Sequence, residues 1–252
     1  KNENAKLIVA PSDHLIYDAD DFVNRIEVAF NYADDDHLIS LGVEPTRPDT
    51  NLSYVQVYED GLPIKKVKTF VDKPNQEFAE SFISSGDFLW STGILIWSTK
   101  AILEAFEKHQ PNMVEIINTY FNQSNQTLET LKPIYTTLDV ISINNAILEK
   151  ANNVYVIPTQ IGWNDMGTWK SINDHTPADE NGNNIACKHF IGYNTENTFV
   201  HTTQDKAIII NGLKDFVVID SSNGLIICPK DNVKEIKTYV SDLRLNKGEK
   251  YC

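Results

Sequence analysis

The stretch Lys6-Leu7-Ile8-Val9-Ala10-Pro11-Ser12-Asp13-His14 sets the reading of the first part of this chain. A short apolar run stops at a proline. Such a run suits a strand buried on both faces, as in a parallel sheet. Downstream, Phe22, Val23, Ile26, Ala29 and Phe30 share one face of a helix over 20–32, with Asp20 placed to cap it. Residues 37–43 form a second apolar strand, ended by Glu44-Pro45. Residues 54–59 and 67–71 read as strands of a hairpin turned through Asp60-Gly61. Asn75 opens a helix to residue 84, and Gly86 sits where a C-terminal cap belongs. A strand over 93–97 and helices over 99–109 and 111–121 follow, the last started by Pro111. Residues 122–127 are a polar loop, 142–151 a helix, 154–157 a strand and 162–165 a tight turn. Strands alternating with helices predict an α/β sheet of mostly parallel strands, with ligands beyond the strands' carboxyl ends.

After Thr176 the texture changes. Asp179-Glu180-Asn181-Gly182 reads as a linker or turn. Three apolar triplets begin at Ile208, Val217 and Leu225, spaced nine and then eight residues apart. Short strands at such intervals suit a meander or the stacked rungs of a solenoid. Asp231 is placed to cap a closing helix that runs to about residue 243. The expected division is therefore 1–176 and 177–252, the second part a smaller β module.

Composition excludes several classes. The 252 residues carry 22 Lys+Arg against 35 Asp+Glu, a net charge of −13. A phosphate backbone repels such a chain, which argues against general nucleic-acid binding. The longest apolar runs reach only about five residues, too short to span a bilayer. At 41% hydrophobic and 10% aromatic the chain is no disordered tail. Three cysteines (Cys187, Cys228 and Cys252) without CxxC spacing argue against a disulfide framework and a zinc knuckle, and Cys228 reads as a buried small hydrophobe. No charged segment with an apolar core opens the chain, which reads as cytoplasmic. No HExxH or GxSxG is present, and no GxG or GxxxxGK[ST] offers a glycine-rich phosphate cradle.

Five segments carry candidate chemistry. Asp13, just after a strand, either caps a turn or offers a hard oxygen ligand for Mg²⁺. Asp165, in Gly162-Trp163-Asn164-Asp165-Met166-Gly167-Thr168, either belongs to an ordinary turn or shares a metal ion with Asp13. Asp72-Lys73 is either a solvated pair before a helix or a sugar-hydroxyl acceptor beside a phosphate-binding cation. The loop 45–51 and the run Phe88-Leu89-Trp90-Ser91-Thr92-Gly93 complete the set, with Trp90 read as core.

Taken in order, PSDHLI (11–16), GVEPTRPDT (42–50), FVDKP (70–74), FLWSTG (88–93) and GWNDMGTW (162–169) resemble the mannose-1-phosphate guanylyltransferases. The resemblance implies a Rossmann-like nucleotidyltransferase mixed sheet over 1–176, N-terminally incomplete, followed by a short left-handed β-helix-like module with a closing helix. It implies transfer of GMP from GTP to mannose 1-phosphate, giving GDP-mannose and pyrophosphate. Asp13 and Asp165 would hold Mg²⁺ and Lys73 the sugar phosphate. Asp72, Ser91 and Asn51 would line the mannose pocket. The chain begins Lys1-Asn2-Glu3, and the family's glycine-rich GTP loop is expected upstream of it, so this fragment alone is expected to be inactive.

Three pocket positions depart from the family pattern. Asn51-Leu52-Ser53 stands for Gly-Tyr-Gly, Asp72 for Glu and Ser91 for Asn. A degenerate, non-catalytic member that binds a sugar phosphate or a partner, and a transferase for another sugar 1-phosphate, are the alternatives. Exposed β rungs would suit a homodimer.

Overall fold

The structure is a computed structural model that describes residues 2, 5–33, 36–58 and 61–251. The chain divides into two compact units, Lys1–Asn164 and Asp165–Cys252.

In the first unit the strands are β1 (Lys6–Val9), β2 (His14–Ile16), β3 (Leu38–Val43), β4 (Ser53–Val57), β5 (Lys65–Val71), β6 (Phe88–Ser98), β7 (Val154–Thr159) and β8 (Trp163–Asp165), the last ending at the boundary. The helices are α1 (Ala19–Tyr32), α2 (Gln76–Ser85), α3 (Thr99–His109), α4 (Pro111–Phe121) and α5 (Leu128–Tyr135), with a π-helical turn at Asn144–Leu148. The main sheet runs β1-β6-β3-β7-β5-β4, and β4 also pairs with β6.

The sheet is mixed, as the resemblance implied, but the expectation of mostly parallel strands is corrected. Among the described pairings of this sheet only β3 with β7 is parallel. The cause is local: β4 and β5 form a hairpin, and β6 runs against all three of its neighbours. A second correction concerns β1. It is an edge strand with one partner in the sheet and leaves Leu7, Ile8 and Val9 exposed, so the opening apolar run is not buried on both faces.

Period-two alternation in β3 divides the core. Ile39 and Leu41 join Tyr54, Trp90, Ile96 and Ile157 on one face, covered by Ala29 of α1 and Ala79 of α2. Leu38 joins Val55, Phe70, Leu95, Trp97 and Val156 on the other, covered by Ala101, Ile102 and Ala105 of α3 and by Ala146 and Ile147 of the π-helical turn. The ends of α2 follow the sequence reading: Asn75 accepts from the Phe78 N–H, and Gly86 adopts φ 75°. The cap of α1 is Asp18, which accepts from the Asp21 N–H, while Asp20 lies in the first turn and complements the helix dipole. Asp60 of the expected hairpin turn and Cys252 lie outside the described residues. The helix α5, which contains Pro133, has no counterpart in the sequence reading.

Strand β6 holds the sheet together through a bulge. Its pairing with β3 shifts register between Ser40 and Gly42. The Thr92 hydroxyl donates to the Leu41 carbonyl at 2.9 Å and accepts from the Ile94 N–H at 3.2 Å, replacing ladder bonds lost there. Gly93 takes φ +72°, a left-handed conformation that costs a residue with a Cβ more. Residues before the bulge pair with β4, and residues after it pair with β1.

The second unit contains α6 (Trp169–His175), β9 (Asn184–Ala186), β10 (His189–Tyr193), β11 (Phe199–Thr202), β12 (Ala207–Asn211), β13 (Phe216–Asp220), β14 (Leu225–Pro229) and α7 (Ile236–Lys247). Strands β9, β11 and β13 stack in parallel, as do β10 and β12. Chain order alternates between the two ladders, which is the pattern of a β-helix. The triplets are therefore not successive rungs of one ladder. Val217 stacks on Phe199 and Ile208 on Phe190, each eighteen residues earlier, while Leu225–Pro229 folds back antiparallel on β13.

The corners repeat at the same period. Asn197 and Asp215 both have positive φ, and the Asn197 amide donates to the Asp215 carboxylate at 2.6 Å. Asn and Asp tolerate that conformation better than other side chains. Lys214 pairs with Glu196 at 2.8 Å, and Cys228 is buried as expected. Asp231 does not cap the closing helix by its side chain. A 3-10 turn, Lys230–Glu235, leads into α7 instead.

Asp220 is the most demanding polar group of this unit. Its side chain is 6% exposed and takes Lys206 Nζ at 2.8 Å and Thr202 Oγ1 at 2.6 Å. These two bonds hold its carboxyl below the usual carboxylate range. A lowered carboxylate stabilises the fold above the unfolded-state value and loses that contribution as pH falls through the folded value. Asp220→Ala is expected to cost roughly 2 kcal/mol in urea unfolding at pH 7. The gap between parent and variant should narrow as pH falls below about 4.

Candidate functional site

The sheet brings small polar residues into one row. Ser91 of β6 pairs with Gly42 of β3 on one side and Ser53 of β4 on the other. The β4–β5 register, Tyr54 opposite Val71, continues the row to Asp72. Ser40, Ser53 and Ser91 are all buried. The Ser40 and Ser91 hydroxyls are 3.1 Å apart and hydrogen-bonded. Ser53 Oγ donates to Asp72 Oδ1. Burial of these groups is sustained because each has a partner.

A second element closes on this row from the π-helical turn. Asn144 Nδ2 donates to Asp72 Oδ1 at 3.0 Å and lies 3.2 Å from Ser53 Oγ. The Asp72 N–H donates to Glu149 Oε1 at 3.2 Å, and the other Glu149 oxygen takes Asn145 Nδ2 at 3.0 Å. Lys73 follows with φ 47° and an exposed side chain, turned just before Pro74. Positive φ is uncommon for a lysine and re-aims the chain at the strand's end.

Other candidates lie elsewhere. Asn51 is exposed, and its N–H donates to Asp49 Oδ1 at 3.0 Å. Asp49 also accepts from Arg47 at 2.9 Å and gives its N–H to the Tyr54 hydroxyl at 2.9 Å. Arg47 lies 5.2 Å over the Trp90 ring. Tyr54 and Trp90 belong to the α1 and α2 face, so Asn51 is tied to the face opposite Ser53 and Ser91. Trp90 is core, as read from sequence.

Asp13 is exposed in the turn before β2. That turn rests on the β6 bulge: a Cβ on Gly93 would lie 3.4 Å from Pro11 Cγ and 3.9 Å from His14 Cε1. β2 pairs with β8, and Trp163 donates its indole N–H to Nδ1 of His14 at 3.0 Å, which puts the ring proton of neutral His14 on Nε2. Asp165 opens the second unit, half-buried, and its Oδ1 accepts from the Gly167 N–H at 2.7 Å. Thr168 then caps α6 by accepting from the Ser171 N–H. Among the described residues no three His, Cys, Asp or Glu side chains gather as a metal cluster.

Sequence reasoning misses Asn144, Glu149 and Ser40. It reads residues 142–151 simply as a helix, and a π-helical turn is set by tertiary contacts that no periodicity reveals. The one available signal is the amide pair Asn144-Asn145 directly before a buried Ala-Ile-Leu run.

The chain matches the nucleotidyl transferase family over residues 1–182. It belongs to that family. Residues 188–243 match the MannoseP isomerase/GMP-like beta-helix domain. An Escherichia coli protein named mannose-1-phosphate guanylyltransferase is 30% identical over 263 residues, covering 97% of this chain and 54% of that relative. The alginate biosynthesis protein AlgA of Pseudomonas aeruginosa is 29% identical, covering 94% of this chain and 50% of its own length. The chain thus spans about half the length of the curated relatives it matches. A crystal structure from Thermus thermophilus, described as a mannose-1-phosphate geranyltransferase, shares the fold at a TM-score of 0.81 and 24% identity, covering 95% of this chain and 70% of that one. A mannose-6-phosphate isomerase from Helicobacter pylori gives 0.59 at 25% identity, covering 66% of each chain. No helix among the described residues is long and apolar enough to cross a membrane.

Gly42 sits where the row crosses β3, and a Cβ there would meet Val156 Cγ2 at 2.5 Å and Leu89 Cδ1 at 3.0 Å. Both atoms belong to packed core side chains. Gly42→Ala is expected to lower stability by about 2 kcal/mol, read as a lower urea midpoint with unchanged slope.

Proposed function

We propose that the protein carrying this chain transfers GMP from GTP to mannose 1-phosphate, forming GDP-mannose and pyrophosphate. The observation that carries this reading is the row of buried Ser40, Ser91 and Ser53 ending at half-buried Asp72 and exposed Lys73, in a nucleotidyl transferase whose relatives bear that enzyme's name. In the reaction a phosphate oxygen of the sugar phosphate attacks the α-phosphorus of GTP in line. A new P–O bond forms, the bond from the α-phosphorus to the bridging oxygen breaks, and pyrophosphate departs with that electron pair. The protein supplies positioning and charge neutralisation. Asp72 accepts from a sugar hydroxyl, Ser91 lines the sugar wall, and the Lys73 ammonium faces the sugar's phosphate.

Asp13 and Asp165 are each proposed as a carboxylate that would bind Mg²⁺. Their chemistry fits: Asp13 is exposed with no protein partner on its carboxylate among the described residues, and Asp165 commits Oδ1 to the Gly167 N–H, leaving Oδ2. Mg²⁺ is held by one or two carboxylates with phosphate and water oxygens completing its octahedron. When bound, the ion neutralises phosphate charge.

The test, made on the full-length protein that carries this chain, is pyrophosphate release from GTP in the presence of Mg²⁺ and a panel of sugar 1-phosphates. Release is expected to depend on mannose 1-phosphate, and Asp165→Ala is expected to reduce it at least about a hundredfold while the fold is kept. A different preferred sugar would reassign the substrate. Unchanged turnover in Asp165→Ala would sink the metal role, and no turnover with any sugar would sink the transferase reading.

A further inference from the structure

We infer that Asn144 and Glu149 are positioning residues that aim Asp72, leaving one carboxylate oxygen, Oδ2, to receive one sugar hydroxyl. The inference rests on the sugar-phosphate reading of this site and goes beyond it to residues that the reading does not use.

The geometry is asymmetric. Asp72 Oδ1 is taken by two donors, the Ser53 hydroxyl and the Asn144 amide at 3.0 Å. Among the described residues no protein donor reaches Oδ2. The backbone of Asp72 is held separately, its N–H on Glu149 Oε1 at 3.2 Å. Glu149 is itself fixed by Asn145, whose side-chain oxygen accepts from the Ser142 hydroxyl at 2.8 Å. Carboxylate and backbone are thus gripped from one short segment, residues 142–149.

That segment can act so because it is a π-helical turn. Ala146, Ile147 and Leu148 are buried against the sheet, which anchors the turn and sets where Asn144 and Glu149 project. Single π-helical turns recur at functional sites because they redirect side chains without breaking a helix. Asp is one methylene shorter than Glu, and its carboxylate would otherwise rotate about a free side-chain bond. Two donors on one oxygen remove that freedom before a ligand arrives. The cost is one of the two carboxylate oxygens, so a sugar hydroxyl is read at Oδ2.

The experiment is calorimetric titration of the full chain with mannose 1-phosphate, with its monodeoxy analogues and with inorganic phosphate. Wild type is expected to bind one of the deoxy analogues about tenfold more weakly than mannose 1-phosphate. Asn144→Ala should bind mannose 1-phosphate about tenfold more weakly, lose that discrimination and keep its affinity for phosphate. In an Asp72→Ala background, Asn144→Ala should add no further loss, because its effect passes through Asp72. Glu149→Gln retains the acceptor for the Asp72 N–H and should match wild type, whereas Glu149→Ala should not.

Undiminished discrimination in Asn144→Ala, or an equal loss with and without Asp72, overturns the inference and leaves the sugar-phosphate reading standing. If wild type binds none of the sugar phosphates, that reading fails and the inference fails with it.

Discussion

Everything placed in the first unit depends on the bulge at Thr92-Gly93. An antiparallel strand has two edges, yet β6 pairs with β1, β3 and β4. It does so because it is eleven residues long and β4 and β1 pair with its two halves, while between them Gly93 takes a positive φ at little steric cost and Thr92 replaces the interrupted ladder with bonds of its own. One half of β6 then supports the Ser91 row. The turn that carries Asp13 packs directly on Gly93. A single irregularity therefore sets both the serine row and the loop that carries Asp13.

Alternation along the strands explains how a polar wall coexists with a packed core. Ser53 and Tyr54 are neighbours in sequence but point to opposite faces, as do Ser91 and Trp90. The aromatic member of each pair fills the core beneath α1 and α2. The small hydroxyl member lines the row and finds a partner in Ser40 or Asp72. The same rule sends Asn51 away from the row, since its loop is anchored on Tyr54 and Trp90.

In the second unit the constraint is stacking rather than alternation. Each strand buries its inner residues only when the next coil covers them, so the repeat that matters is the coil, fifteen residues from β9 to β11 and eighteen from β11 to β13, and not the spacing of apolar triplets. Left-handed Asn and Asp corners, bonded to one another across coils, keep the register.

Local rules are enough for much of this. The caps of α2, the start of α4 at Pro111, the β4–β5 hairpin and the burial of Cys228 follow from side-chain chemistry acting over a few residues. Motif order is enough for the family, because a motif is local text. Strand direction, the edge position of β1, the coil period and the π-helical turn are not legible, since each is decided by which distant segment lies alongside. The same holds within the site. Asp72, Lys73 and Ser91 can be singled out as residue types beside strands, but Asn144 and Glu149 gain their place only when residues 142–149 dock against the end of β5, more than seventy positions away in the chain. Sequence specifies which groups can donate and accept; only the packed sheet decides which oxygen of Asp72 is already taken.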